Sequence, residues 1–454
     1  MGKYFATDGI RKRAEYFTTE FLQKVALGLY RYGVQKKGLE NPRILIGGDT
    51  RESSEWMLAD LERAFESLGV ECRNVGVLPT PGINYVFYEM GFDFAIDVTA
   101  SHNDWEDNGI KIMERSKKSG VKLSELGVEV IETVLDNAEM YDLKAVELKE
   151  SLHADAVNLY KKHLENYVLE TGKQCGSRPL TGLKIGLDCA NGATSVIGAE
   201  SWEKLGAKVE VINQNKSYGR LINLDCGSTH MEKLIKLVQN QNLDFGVAYD
   251  GDGDRCLMVT RTGKVVKGDE IIAIVAEYLD LKQVVVTVMS NQGIFDWAKR
   301  KAVKLQVVSV GDTNVSIAMR EQEIQLGGEE CGHIILPGQA TGDGMLTSLL
   351  MAKIIAESQK DLGDLAGTVQ IFPQVIRNMK AAAEDKALLK TPEIQEILDD
   401  YQKKLEGENG RLLVRPSGTE DLVRITVWGE HAGKIQQIAL EIEQKIKLKL
   451  EEIK

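Results

Sequence analysis

Three aspartates stand at alternate positions in Asp250-Gly251-Asp252-Gly253-Asp254-Arg255, with glycines between them. Carboxylates that close repel one another unless a cation sits among them, and hard oxygen donors select Mg²⁺ or Ca²⁺. A calcium-sensor loop counted from Asp250 needs Gly at its sixth position and Glu at its twelfth. The chain has Arg255 and Arg261 there, so that reading fails. Residues 243–249, LDFGVAY, read as a buried strand leading into the aspartates, and strand ends carry ligand sites in α/β folds. An acidic solvated turn is the bland alternative.

A second group, Thr99-Ala100-Ser101-His102-Asn103, follows the apolar FAIDV and precedes Asp107-Asn108-Gly109-Ile110-Lys111. Ser101 sits where a strand ends. Its hydroxyl can accept a phosphoryl group, while His102 and Lys111 can move protons or neutralise oxygens. The competing reading is a hydrogen-bonded turn, and the GxSxG elbow of a hydrolase is absent. Gly327-Gly328-Glu329-Glu330-Cys331-Gly332-His333, followed by Thr341-Gly342-Asp343-Gly344, projects carboxylates from a Gly-bounded loop, which suits vicinal sugar hydroxyls as well as an exposed turn. Arg415-Pro416-Ser417-Gly418-Thr419-Glu420, with Arg424 beyond, offers two guanidiniums and two hydroxyls. That set can grip a phosphate without covalent chemistry, or be a strand-to-turn junction with surface arginines. Asp188-Cys189-Ala190-Asn191-Gly192-Ala193 is too loose for a dinucleotide fingerprint, and no Walker A, HExxH or GxGxxG occurs.

These groups need elements to position them. The chain has 454 residues, enough for two to four domains at about 100–200 residues each. With 43% hydrophobic residues it can build ordinary globular cores. With 56 Lys+Arg against 68 Asp+Glu, its net charge of −12 argues against nucleic-acid binding and confines any phosphate site to a local basic pocket. Six scattered cysteines (72, 175, 189, 226, 256 and 331) with no CxxC pair fit reduced thiols. No signal core or membrane-length apolar run is present, so a cytoplasmic protein without membrane contact is expected.

Apolar runs at residues 43–49, 184–188 and 284–288 each lead through a turn into a helix-like stretch, the pattern of strands covered on both faces. Three domains of similar α/β plan are expected, then a smaller C-terminal α+β domain. Residues 346–357 and 381–406 read as helix, the second stretch as one piece. The last helix, 434–452, sets Ile435, Ile438, Ile442 and Ile446 on one face. The expected divisions are 1–153, 154–253, 254–371 and 372–454.

Together the four groups, in this order, resemble the α-D-phosphohexomutase superfamily, from Tyr4-Phe5-Ala6-Thr7-Asp8-Gly9-Ile10-Arg11 to the C-terminal domain. The resemblance is closest to its bacterial phosphoglucosamine mutase branch, through the TDGIR of residues 7–11, residues 188–194 (DCANGAT), 226–230 (CGSTH), 289–291 (MSN), 310–312 (VGD) and 372–375 (FPQV). It implies three mixed-sheet α/β domains plus the smaller domain around one central cleft. It also implies Ser101 as the phosphoserine, with one Mg²⁺ held by its phosphate and Asp250, Asp252 and Asp254. His102 and Lys111 become general acid/base candidates, and Arg11, Arg255 and Lys111 would neutralise the transferring group. Glu329, Cys331 and His333 would face the sugar, and Arg415, Ser417, Gly418, Thr419 and Arg424 the phosphate that is not reacting. A phosphosugar substrate and a sugar bisphosphate activator are implied as well, with a homodimer left open because the sequence does not set the oligomeric state. Interconversion of glucosamine 6-phosphate and glucosamine 1-phosphate is the expected reaction. Glucose or mannose phosphate specificity, or a non-catalytic sugar-phosphate sensor, are the alternatives. The chain departs from the pattern at Cys331, where Ser is usual, at Asp104-Trp105 for Asn-Pro, at Ala6, Lys12 and Asp421, and at Thr313-Asn314 where this branch more often has Arg-Tyr. Cys331 and Thr313 bear on sugar preference, because their loops are expected to face the sugar.

Overall fold

Apolar runs that end in polar turns become the buried middle strands of three sheets. The computed structural model describes residues 2–6, 9–117, 119–137, 141, 150–173, 176–407, 409–416 and 421–453. The first sheet contains β1 (Ile10–Arg13), β2 (Arg43–Gly48), β3 (Glu71–Val77), β4 (Phe94–Val98), β5 (Asp107–Arg115) and β6 (Gly120–Lys122). The second contains β7 (Lys184–Asp188), β8 (Lys208–Ile212), β9 (Phe245–Tyr249), β10 (Cys256–Thr260) and β11 (Val265–Val266). The third contains β12 (Gln283–Thr287), β13 (Lys304–Val308), β14 (Gly327–Gly328) and β15 (Ile334–Ile335). Every residue of β4 and β9 is buried, as a strand covered by helices on both faces requires.

One plan repeats. In each sheet a central strand pairs in parallel with its successor on one side and with a third strand on the other, and that third strand turns back into an antiparallel partner. The orders are β3-β2-β4-β5, β8-β7-β9-β10 and β13-β12-β14-β15. Crossing from one side of the central strand to the other opens a crevice at the strands' C-terminal ends, where α/β folds bind ligands. The three turns that follow are residues 99–106, 250–255 and 329–333, which hold the serine group, the aspartate triplet and the Glu-Cys-His group. Sequence motifs that look unrelated thus occupy one structural position three times.

The second sheet extends past the division expected at 253/254, because β9 and β10 form one hairpin, with β11 at its edge. The fourth unit is an antiparallel sheet of β16 (Gln374–Lys380), β18 (Leu422–Trp428) and β17 (Arg411–Pro416), in the order β16-β18-β17. Its core is its own, and the helix Ala432–Ile453 buries Ile435, Ile438, Ile442 and Ile446 there as expected. The single helix expected over 381–406 is two, Ala383–Leu388 and Pro392–Glu406. Pro392 lacks an amide hydrogen and suits the first turn of a helix rather than its interior, so the chain restarts there.

The first three units also share core. Helix His153–Glu170 packs against Thr80–Glu89 and Gly344–Ser358. Buried Lys353 donates from Nζ to the carbonyls of Val168 (2.9 Å), Thr171 (2.6 Å) and Lys173 (3.1 Å), capping the end of the first of these helices with positive charge. Among the described residues no helix is long and apolar enough to cross a membrane.

Candidate active site

Ser101 is buried at the C-terminal end of β4 with φ of +54°, a conformation serine rarely adopts. Something must hold it there, and that is Arg51, whose side chain is fully buried just beyond β2. Its Nη2 donates to the carbonyls of Ser101 (2.9 Å) and Asn103 (2.8 Å), and its Nη1 to those of Asp107 (3.1 Å) and Asp104. Asp49 accepts from Arg51 Nε at 2.9 Å and from Thr99 Oγ1 at 2.7 Å, so it neutralises the guanidinium and ties down the start of the loop. From the second unit, Asn223 Nδ2 donates to the carbonyls of Ser101 (2.8 Å) and Asn103 (2.9 Å). The serine loop is therefore held by its backbone, which leaves the Ser101 hydroxyl for chemistry.

That hydroxyl donates to Asp250 Oδ2 at 2.9 Å and lies 3.2 Å from His102 Nδ1. The first and second units meet at this contact, and the glycines between the aspartates explain how. A Cβ on Gly251 would stand 2.5 Å from the Ser101 carbonyl oxygen, so only glycine lets the two loops approach. Asp250, Asp252 and Asp254 are all buried, each with a carboxylate oxygen within 4.8 Å of those of the other two. Oδ1 of Asp252 and Oδ1 of Asp254 are buried without a hydrogen-bond partner. Buried carboxylate oxygens lacking donors are costly, and a hard divalent cation satisfies them. The donor set thus fits Mg²⁺.

Cations surround the triplet. Lys111 Nζ donates to Asp252 Oδ2 at 2.8 Å and stands 3.6 Å from Asp254 Oδ2. Burial works against the charge of Asp252, but Lys111 overrides it and holds that carboxyl below the usual range. Burial and then the charges of Asp252 and Asp254 push Asp250 well up. Arg255 Nε lies 3.8 Å from Asp250 and 3.7 Å from Asp254. Arg11, in β1 opposite Gly109 of β5, reaches Asn103 Oδ1 at 3.4 Å. His102 is pushed down to about 3, by burial and then by Arg255 and Arg11, so its imidazole is neutral.

The Glu-Cys-His loop joins this cluster through its backbone. Arg255 and His333 form an antiparallel bridge, and Cys256 N–H donates to the Gly332 carbonyl at 3.1 Å. Gly332 adopts φ of +93°, and a Cβ there would stand 2.1 Å from the Cys256 carbonyl oxygen. Glu329 and His333 are buried, whereas Cys331 is exposed. His333 Nε2 accepts the Gly342 N–H at 3.3 Å, while its Nδ1 is buried without a partner. A buried, unsatisfied ring nitrogen suits a polyhydroxylated ligand.

Arg415 and Arg424 face each other in register on β17 and β18. Like charges opposite one another on a sheet are unfavourable unless an anion lies between them. Burial and then Arg424 lower the Arg415 pKa, and Arg415 Nε is buried without a hydrogen bond. Ser417, Gly418 and Thr419, expected to complete this grip, lie outside the described residues. The fourth unit is seated on the third by Arg411, which donates to the carbonyls of Val288 (2.9 Å) and Ser290 and lies between Phe295 and Trp428.

Four family models match the chain in order: phosphoglucomutase/phosphomannomutase α/β/α domain I at residues 2–142, domain II at 158–263, domain III at 267–372 and the C-terminal domain at 375–445. The phosphoglucosamine mutase of Caldicellulosiruptor bescii is 41% identical over 97% of both chains. The chain belongs to the phosphoglucomutase/phosphomannomutase family. Another member, the phosphoglucosamine mutase of Clostridium tetani, is 38% identical over 99% of this chain and 100% of its own. Among solved structures, a phosphoglucomutase/phosphomannomutase family protein from Burkholderia thailandensis superposes with a TM-score of 0.78 at 18% identity, covering 99% of this chain and 97% of that one. Aspergillus fumigatus N-acetylphosphoglucosamine mutase in complex with GlcNAc-6P and magnesium gives 0.62 at 17% identity, covering 97% and 95%. These likenesses match the four-unit fold, three mixed sheets and a smaller fourth unit, that the motifs imply.

Proposed function

We propose that this chain interconverts glucosamine 6-phosphate and glucosamine 1-phosphate through a phosphoryl group carried on Ser101 and a sugar bisphosphate intermediate. It is an isomerase, an intramolecular phosphotransferase, as are the relatives it matches along its whole length. The observation that carries the reading is the Ser101 hydroxyl 2.9 Å from the first of three converging buried carboxylates. In the first half-reaction the free sugar hydroxyl forms a bond to phosphorus as the bond to Ser101 Oγ breaks, the hydroxyl proton passes to a base, and Ser101 Oγ takes up a proton as it leaves. His102, at 3.2 Å from Oγ, and Lys111 are the acid/base candidates for these two proton movements. Arg11, Arg255 and Lys111 supply positive charge around the transferring oxygens, where phosphoryl transfer needs it. Mg²⁺ bound by Asp250, Asp252 and Asp254 would supply further charge to the phosphoryl oxygens.

In the second half-reaction the other phosphate of the bisphosphate returns to Ser101, so the intermediate has to turn over in the cleft. Glu329, Cys331 and His333 face the sugar in both orientations, and Arg415 and Arg424, with Ser417, Gly418 and Thr419, grip whichever phosphate is idle. A fourth unit with its own core, seated through Arg411, can move as a body to permit the turn. A sugar bisphosphate supplied as activator would reload Ser101 if an intermediate escapes. Arg424→Ala is expected to raise KM for the phosphosugar about tenfold or more with a smaller change in kcat, because the idle phosphate is held alike in ground and transition states. Steady-state kinetics check this, and an unchanged KM counts against the role.

The reading is tested by initial rates with Mg²⁺ and a sugar bisphosphate on glucosamine 6-phosphate, glucose 1-phosphate and mannose 1-phosphate side by side. Preference for glucosamine 6-phosphate supports it. Preference for glucose or mannose phosphate would mean that Cys331 and Thr313 have re-aimed the pocket, and inactivity on all three would point to a sensor.

A further inference from the structure

Lys122, at the end of β6 in the first unit, reaches across to the third. Its Nζ donates to Thr313 Oγ1 at 2.7 Å and stands 2.6 Å from Asp312 Oδ2. Asp312 opens the helix Asp312–Glu321, and its other oxygen accepts the Thr313 N–H at 2.7 Å. Immediately before it, the Gly311 N–H donates to Glu329 Oε1 at 2.9 Å, so the Asp312 turn is bonded to the carboxylate assigned above to the sugar. That bond sets Asp312 beside the Glu329 loop, on the wall of the same cleft. Burial opposes its charge, but Lys122 outweighs burial and keeps the carboxyl ionised.

A second carboxylate beside Glu329 offers a neutral hexose phosphate only another hydroxyl acceptor, while its charge repels the substrate's phosphate. The one cation in an amino-sugar phosphate is its ammonium group. We propose that Asp312 reads the 2-ammonium of the substrate, and that Lys122 is the resident cation which that ammonium displaces. This deepens, and rests on, the amino-sugar reading of the preceding subsection. The two partners are unequal in the way an exchange requires. The Asp312 side chain is 19% exposed and needs a countercharge at all times, whereas the Lys122 side chain is 34% exposed and can return to water on its flexible stem. Thr313 fits the same logic: with no guanidinium at position 313, the charge facing Asp312 comes from another unit on a side chain able to leave.

The test compares Asp312→Asn with wild type on glucosamine 6-phosphate and glucose 6-phosphate, and on the corresponding 1-phosphates. The amide keeps the shape and the Thr313 N–H contact but loses the charge. The ratio of kcat/KM for the amino sugar over the neutral sugar is expected to fall at least about tenfold in one or both directions. A purely structural role would lower both sugars together and leave the ratio unchanged, which would overturn the proposal. Lys122→Met is the second variant: removing the competing cation should lower KM for glucosamine 6-phosphate relative to glucose 6-phosphate, and a rise in that relative KM would contradict the exchange. If wild type itself does not prefer the amino sugar, the functional reading fails first and this proposal with it. If wild type prefers it and the ratio survives Asp312→Asn, only this proposal fails.

Discussion

Ser101→Ala is expected to yield a folded protein whose turnover is at least about a thousandfold below wild type. The two halves of this expectation have separate causes. Turnover is lost because Oγ is the atom that gives and recovers the phosphoryl group, and no other hydroxyl is described within hydrogen-bonding distance of Asp250. The fold survives because the loop is held through backbone carbonyls, by Arg51 and Asn223, rather than through the serine side chain. Alanine forfeits one hydrogen bond to Asp250, a cost of about 1–3 kcal/mol, and does not change the backbone conformation that the clamp imposes. Steady-state rates beside a thermal melt check both halves. Turnover at the wild-type level would remove the phosphoserine from the account.

The second large effect is expected at a residue outside the chemistry. Arg51→Met should destabilise the protein by about 3–5 kcal/mol and abolish measurable turnover, because it leaves Asp49 buried without its countercharge and the carbonyls of Ser101, Asn103, Asp104 and Asp107 without their shared donor. Arg51→Lys should rescue little, since a point-like ammonium cannot span acceptors that a planar guanidinium reaches from both Nη atoms. Urea unfolding midpoints and kcat for the two variants decide it. A methionine variant as stable and active as wild type would show that the loop holds its strained serine by other means.

The role of Arg51 is not legible in the sequence. The run at residues 43–49 was legible as a strand, and the polar residues after a strand mark the place where sites form. Yet Asp49 and Arg51 give no periodic or motif signal of their own, and their work on the serine loop lies in contacts with residues about 50 positions away. Asn223 was hidden for the same reason, more strongly, because it acts across two units. The aspartate triplet was legible because its chemistry is local: three charges within five residues need a cation whatever the fold. Arg415 and Arg424 were legible as a pair of guanidiniums, but only the β17–β18 register makes them face each other. The repeated plan was visible in three apolar runs. That the serine, aspartate and Glu-Cys-His groups occupy equivalent turns depends on strand order, which spacing alone does not encode. The break at Pro392 was written in the sequence, since proline ends a helix or starts one, and residues 381–406 cannot be a single helix around it.

The central claim is that the phosphoryl group travels on Ser101, and the most direct measurement is the mass of the intact protein before and after incubation with glucose 1,6-bisphosphate, with fragmentation to place the modification. The account predicts the gain of a single phosphoryl group, on Ser101, and its loss when glucosamine 6-phosphate is added. A phosphoryl group on any other residue, or none under conditions in which the enzyme turns over, would contradict it.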